Sequence, residues 1–315
     1  MITRREYLKL AALAGVTLGV HPRLLLAADG PRETITRAIP GTDERLPVVG
    51  LGSSATFSRI AGEGDTDRIR AILQALVDNG GRVFDTAPSY GAAEEVAGQV
   101  ARDAGLANRL FWATKLNVVP RGGDRADPGA ARAQLEQSFQ RVGKDPIDLV
   151  QVHNMADPAT QLGLLNEYKQ AGRIRYVGIT TTFPRHYADL EAVMRSEPLD
   201  FIGVDYAIDN RTMEERIFPL AAERGIGVLV YAPFGRRRLW EQVDGRQVPE
   251  WAAEWDIATW GQFFLKFVVS NPVVTAATPS TSRPAHMIDN LGAATGRLPD
   301  EAGRQRMAEY IAALG

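Results

Sequence analysis

From Val48 onward the chain repeats one unit: a short apolar segment ending in polar residues, a turn, and a helix with one apolar face. The apolar segments are VVGLG, RVFDTA, LFWATKL, IDLVQVHN, IRYVGITT, DFIGVDYA, IGVLVYAPF and VVTAATPS, eight in all. Their starts recur at intervals of roughly thirty residues, the length of one βα unit. In DTDRIRAILQALVDNGG, Ile69, Ile72, Leu73, Leu76 and Val77 follow helical spacing, Asp65 can cap the start, and Asn79 with Gly80 can close the end. TMEERIFPLAAERG, between the sixth and seventh segments, reads as one helix of the same kind.

Eight parallel strands, each followed by a helix, can close into a (β/α)8 TIM barrel of ~250 residues, so no second domain is required. An open doubly wound sheet is the rival arrangement. Ahead of the barrel, TITRA, the turn PGTDE and LPVVGLG predict a β-hairpin, and after it GRLPDEAGRQRMAEYIAALG predicts a final amphipathic helix, with little other chain to roof the site on that side. The long stretch GRRRLWEQVDGRQVPEWAAEWD after the seventh strand is expected to lie over the active end. One local match favours the rival: Gly50-Leu51-Gly52-Ser53-Ser54-Ala55 satisfies the dinucleotide fingerprint GxGxxA. That fingerprint needs a helix starting within the glycines, whereas TFSRIAGEG is read as delaying the helix to Asp65, and the match is rejected.

The first thirty residues belong to a different grammar. Arg4 and Arg5 stand just ahead of Tyr7, Leu8 and Lys9, followed by a modest apolar run from Leu10 to Val20. Paired arginines before such a run are a twin-arginine export address, and the run is short of the ~20 apolar residues a membrane span needs. Residues 1–30 are therefore assigned as a signal peptide and 31–315 as the barrel, with the export machinery as a partner and the periplasm as the destination. A formal charge of −2 with interleaved signs leaves no broad basic face, so nucleic acid is not an expected partner. The chain has no cysteine, and its histidines His21, His153, His186 and His286 lie far apart without an HExxH pairing, so no metal site is expected.

In a barrel the reactive residues lie at the C-terminal ends of the strands. The second strand ends at Asp85 with Tyr90 five residues on, the third ends near Lys115, and the fourth at His153. Singly, each has an ordinary structural explanation: a turn cap, a loop ring, a satisfied core histidine. Lys115 resists that treatment because the chain prefers arginine and has only Lys9, Lys115, Lys144, Lys169 and Lys266. An ammonium at the end of an apolar strand needs a partner, and Asp85 is the carboxylate expected within reach. A cation beside a tyrosine favours loss of the phenolic proton, which makes a usable acid.

FDTAPSYG, ATK and QVHN, in this order on strands two, three and four, resemble the Asp, Tyr, Lys and His tetrad of the aldo-keto reductases, and the similarity runs from about Leu46 to Asn290. The resemblance implies carbonyl reduction by hydride from a nicotinamide. Tyr90 would be the general acid, Lys115 and Asp85 would tune it, and His153 would orient the carbonyl. It also implies cofactor positions, unevenly filled. Thr180 and Thr181 stand where the family has Ser-Asn, and Gly203 where it has a glutamine amide, so glutamine at 203 is expected to firm the hold on the ring. Tyr231 stands where the family stacks an aromatic ring on the nicotinamide. Ser280, Thr281, Ser282, Arg283, His286, Asp289 and Asn290 match the family segment for an adenosine 2′-phosphate, with Ser280 replacing a common glycine, and favour NADP(H) over NAD. Arg236, Arg237 and Arg238 either face an anion or form a solvated loop. Three function classes follow: reduction of an aldehyde or ketone, a different reaction on a periplasmic sugar or hydroxy acid with a retained nicotinamide, or a non-catalytic cofactor-binding barrel.

Overall fold

The computed structural model describes residues 33–120 and 122–315; the twin-arginine segment lies outside the described residues. A two-stranded antiparallel hairpin comes first, β1 (Thr36–Ala38) and β2 (Arg45–Pro47), with Arg37 opposite Leu46. Eight parallel strands follow: β3 (Leu51–Gly52), β4 (Val83–Asp85), β5 (Phe111–Leu116), β6 (Ile147–Val152), β7 (Ile174–Thr181), β8 (Phe201–Asp205), β9 (Gly227–Tyr231) and β10 (Val274–Ala277). Each pairs with its neighbour in sequence order. The two ends of the sheet meet: the Gly50 amide donates to Ala277 O at 2.8 Å, the Gly52 amide to Pro279 O at 3.0 Å, and the Ala277 amide to Val48 O at 2.9 Å. This is the (β/α)8 barrel with its N-terminal hairpin.

The seam explains the glycines of the rejected fingerprint. A Cβ on Gly50 would lie 2.7 Å from Val83 Cβ, and one on Gly52 would lie 2.5 Å from Thr278 O. Both glycines serve close strand approach. TFSRIAGEG does not delay the helix to Asp65, however: a helix, α1 (Thr56–Gly62), begins directly after Ala55. Ala55 supplies no cap, which is why the sequence there carries no start signal.

The crossover helices cover the barrel. In α2 (Thr66–Asp78) the Asp65 carboxylate caps the Arg68 amide, Asn79 closes the end, and Ile69, Ile72, Leu73, Leu76 and Val77 are all buried. The remaining crossovers are α3 (Ala93–Asp103), α4 (Pro128–Val142), α5 (Pro158–Gln170), α6 (Tyr187–Ser196), α7 (Ile217–Arg224), α8 (Arg238–Gln242), α9 (Trp260–Val269) and α10 (Pro284–Gly292), and α11 (Glu301–Ala312) ends the chain. TMEERIFPLAAERG is not one helix. A 3-10 turn, Thr212–Glu214, precedes α7, so Pro219, which lacks an N–H, falls in the first turn where none is needed.

The insertion after β9 divides: its start stays at the active rim, where Arg236 reaches Thr182 and Arg238 pairs with Asp209, and its later part packs on outer helices. Trp251 packs edge-on against Phe263 of α9 and Tyr310 of α11, and Gln242 donates to Ile311 O at 2.6 Å. Arg304 of α11 pairs with Glu214, and its guanidinium lies 5.0 Å from the Phe267 ring. These aromatic contacts bind the later part of the insertion and the final helix to α9.

The barrel interior is a second apolar cluster, in which Ile39 and Leu46 of the hairpin plug one end beneath Val83, Phe111, Leu149, Tyr176, Phe201, Leu229 and Ala276. Strand side chains alternate with a period of two, so the inward register continues from Val83 to Asp85, from Phe111 through Ala113 to Lys115, and from Leu149 to Gln151 and then His153. It runs likewise from Phe201 to Gly203 and Asp205, and from Leu229 to Tyr231. The apolar floor thus aims the polar layer above it.

Candidate active site

Asp85, Lys115, Tyr90 and His153 come together at the C-terminal rim. Lys115 Nζ donates to Asp85 Oδ2 at 2.6 Å and to Thr86 O at 2.8 Å, with both charged side chains nearly inaccessible to solvent. The Tyr90 ring centroid lies 5.0 Å from Lys115 Nζ, and the Tyr90 ring meets His153 edge-on at 5.7 Å. Ser89 Oγ lies 3.4 Å from His153 Nδ1. Burial pushes the Asp85 carboxyl up from the ordinary carboxylate value, opposed by Lys115. On Lys115, burial pulls the ammonium down, but the Asp85 charge and then Tyr90 outweigh it and hold it above the usual lysine value. The pair is an ion pair with one ammonium N–H left for Tyr90.

Burial, and secondarily the Lys115 charge, push the His153 imidazole down to about 3. An unfolded imidazole titrates near ~6.5, so the unfolded chain takes up a proton at this residue over a range where the folded one does not. Stability from neutral His153 is complete above pH ~6.5 and is lost as pH falls toward 3. His153→Asn is expected to flatten the fall in unfolding temperature below pH ~6.5 relative to the parent. Equal slopes for the two proteins would mean that the imidazole is solvated.

The loop that carries His153 is strained. Asn154, Met155 and Asp157 have φ of 58°, 57° and 36°, Ala232 after β9 has 51°, and Ala55 after β3 has 52°. Left-handed non-glycine residues cost of order 1–3 kcal/mol each and persist where the surroundings over-determine them. These five closely follow the ends of β3, β6 and β9; the other two non-glycine residues with positive φ among the described ones, Arg236 and Asp256, lie further into the insertion after β9. Backbone strain therefore collects at the end of the barrel that holds the polar layer.

The other predicted positions divide. Thr180 Oγ1 accepts from the Asn154 amide at 3.2 Å, and Thr181 Oγ1 accepts from the Phe183 amide at 3.2 Å, so both shape the rim loops. Thr281 Oγ1 accepts from the Arg283 amide at 3.2 Å ahead of α10, whose start has no side-chain cap. Ser282 is half-buried there, Arg283 and His286 are exposed, and Asn290 is buried. Ser280 is taken up by the barrel seam, donating to Ser54 O and lying 3.2 Å from Thr56 Oγ1. Asp289 is turned to the protein, accepting from Thr259 Oγ1 at 2.9 Å and Gln262 Nε2 at 3.0 Å. Arg238 pairs with Asp209, Arg237 approaches Glu241, and Arg236 reaches Thr182 at 3.4 Å.

Gly203 requires a correction. It leaves no opening for an amide, because the Tyr231 ring occupies the space in front of it. Tyr231 donates to Asp85 Oδ1 at 3.0 Å and accepts from Gln151 Nε2 at 2.9 Å. Two groups were missed from the sequence: Gln151, and Asp205, which accepts from Tyr187 Oη and Asn210 Nδ2, each at 2.8 Å. Inward parity along β6 and β8 is the signal that finds them.

Residues 48–305 match the Aldo/keto reductase family. Aldo-keto reductase str7 of Strobilurus tenacellus is 26% identical over 300 residues, covering 84% of this chain and 87% of that protein. The NADH-specific methylglyoxal reductase of Escherichia coli (strain K12) is 31% identical over 231 residues, covering 66% and 70%. An aldo-keto reductase from Klebsiella pneumoniae in complex with NADPH superposes with a TM-score of 0.72 at 23% identity, covering 89% of this chain and 95% of that one. The fold and the family match together define a barrel oxidoreductase. The chain belongs to the aldo/keto reductase family.

Proposed function

We propose that the protein is an NADP-dependent reductase of an aldehyde or ketone, with Tyr90 as the general acid. The observation that carries this reading is the buried Lys115–Asp85 pair beside Tyr90 and His153. The residues present fit a dinucleotide. Ser53 Oγ, Thr86 Oγ1 and Gln151 Oε1 are buried polar atoms without a hydrogen-bond partner at or near the C-terminal ends of β3, β4 and β6, where a polar ligand supplies partners. Ser282, Arg283, His286, Asn290 and the uncapped start of α10 suit a dianionic phosphate. Thr180 and Thr181, at the end of β7, are the residues that would stand nearest the nicotinamide carboxamide.

When bound, the nicotinamide supplies the hydride that reduces the carbonyl carbon. Tyr90 Oη gives its proton to the carbonyl oxygen as that atom gains alkoxide character. Lys115, held from behind by Asp85 Oδ2 and Thr86 O, keeps a cation next to the donor. His153 is neutral, and we assign its proton to Nε2, the tautomer in which Nδ1 can accept from Ser89 Oγ 3.4 Å away and Nε2–H can hold the carbonyl oxygen.

The choice of dinucleotide is testable directly, and the NADH-specific relative makes the test necessary. Charge-assisted hydrogen bonds are worth roughly 1.5–3 kcal/mol, a factor of about 10 to 100 in affinity. Arg283→Ala is expected to weaken NADPH binding by about that factor and leave NADH binding nearly unchanged, read by fluorescence titration. An equal change for both nucleotides removes Arg283 from the 2′-phosphate.

The proposal extends to location. Arg4 and Arg5 mark the chain for the twin-arginine export machinery, which moves folded cargo, and the periplasm is the proposed destination. Among the described residues no helix is long and apolar enough to cross a membrane. An exported reductase that loads NADP before transit should leave the cell carrying it, so protein purified from the periplasm is expected to contain near-stoichiometric nucleotide. Periplasmic protein that is folded, efficiently exported and empty counts against loading before export.

A further inference from the structure

The sixth barrel strand gives up its side chain at the level of the site, and the seventh strand uses the space. A Cβ on Gly203 would lie 2.4 Å from Tyr231 Cε2 and 2.8 Å from both Cζ and Oη, distances that real Cβ atoms do not adopt. Any other residue at 203 displaces the ring. Seated there, the Tyr231 ring has its centroid 5.0 Å from Lys115 Nζ, the same separation as Tyr90 on the other side of the ammonium. Its hydroxyl bridges Gln151 Nε2 and Asp85 Oδ1. Gly178 makes room for Gln151 in turn, since a Cβ there would lie 3.0 Å from Gln151 Cγ and 2.5 Å from Phe201 O.

The Asp85 carboxylate therefore divides its two oxygens: Oδ2 takes Lys115 and Oδ1 takes Tyr231. We propose that Gly203, Tyr231 and Gln151 form one positioning unit, in which the Tyr231 hydroxyl anchors Asp85 so that Lys115 stays directed at Tyr90. The inference rests on the reading of Tyr90 as the proton donor. Without the anchor, Asp85 is free to rotate and present both oxygens to Lys115, which draws the ammonium back and compensates more of its charge. Burial first, and the Asp85 charge second, push the Tyr231 phenol well above the ordinary tyrosine value, so it stays a donor. The titratable groups facing this unit are Asp85 from β4, Tyr90 from the loop after it, Lys115 from β5 and, across Lys115, His153 after β6. Beside Tyr231, β6 and β8 present uncharged Gln151 and Gly203.

Tyr231→Phe keeps the ring and removes the anchor. With NADPH bound, the single-turnover hydride rate is expected to fall about tenfold, a loss in kcat with KM little changed. NADPH affinity should stay within about twofold, as the phosphate contacts are elsewhere. A merely structural tyrosine would leave the single-turnover rate where it is, and that result overturns the positioning role. Two readouts need no turnover. In a crystal structure of Tyr231→Phe, Asp85 should be rotated with both oxygens on Lys115; an Asp85 that keeps its parent orientation overturns the inference. Gly203→Ala should lower the unfolding temperature in the parent and far less in a Tyr231→Ala background; equal losses in both overturn the seating. If the parent turns over no carbonyl, the proposed function fails, while these two readouts still decide the positioning unit.

Discussion

Replacing Tyr90 by phenylalanine is expected to lower the rate of carbonyl reduction by at least about 10²–10⁴, the usual worth of a positioned acid. The ring packing survives the change: the edge contact to His153 at 5.7 Å and the cation contact from Lys115 at 5.0 Å need only the aromatic carbons. Nucleotide affinity, measured by fluorescence titration, should therefore stay close to the parent. A phenylalanine variant that turns over normally would dismiss Tyr90 as the acid and move attention to Tyr231, the other phenol beside Lys115.

Lys115→Met is expected to remove activity to a similar degree, and in addition to cost stability. Removing one partner of a buried ion pair leaves the other charge unpaired, at a cost of roughly 3–5 kcal/mol. Asp85 would be that stranded group, keeping only its hydrogen bond from Tyr231. Adding Asp85→Asn should recover much of the unfolding temperature without recovering turnover. Recovery of both would make the pair structural, and recovery of neither would mean that Lys115 supports the rim through Thr86 O instead.

Several features were written locally and needed no tertiary contact to be legible. The eight strands, the Asp65 cap and the buried face of α2 follow from hydrophobic period and capping chemistry within short windows. The order of Asp85, Tyr90, Lys115 and His153 at strand ends is likewise a property of text, because a barrel converts the end of each strand into one rim. Other features depended on what stands opposite in space. Gly50 and Gly52 match a fingerprint rejected from sequence alone, but their own role, close approach to Val83 Cβ and Thr278 O, appears only at the seam. Ser280 and Asp289 carry ligand-like side chains, and which way each turns was settled by a strand or helix far away in sequence. Gly203 is the clearest case: one position read as a missing amide, yet its lack of a Cβ seats a ring that arrives from the neighbouring strand. Period and capping are fixed by neighbours along the chain, so sequence determined them; close approach and shared hydrogen bonds are fixed by neighbours across the barrel, so only the closed fold decided them.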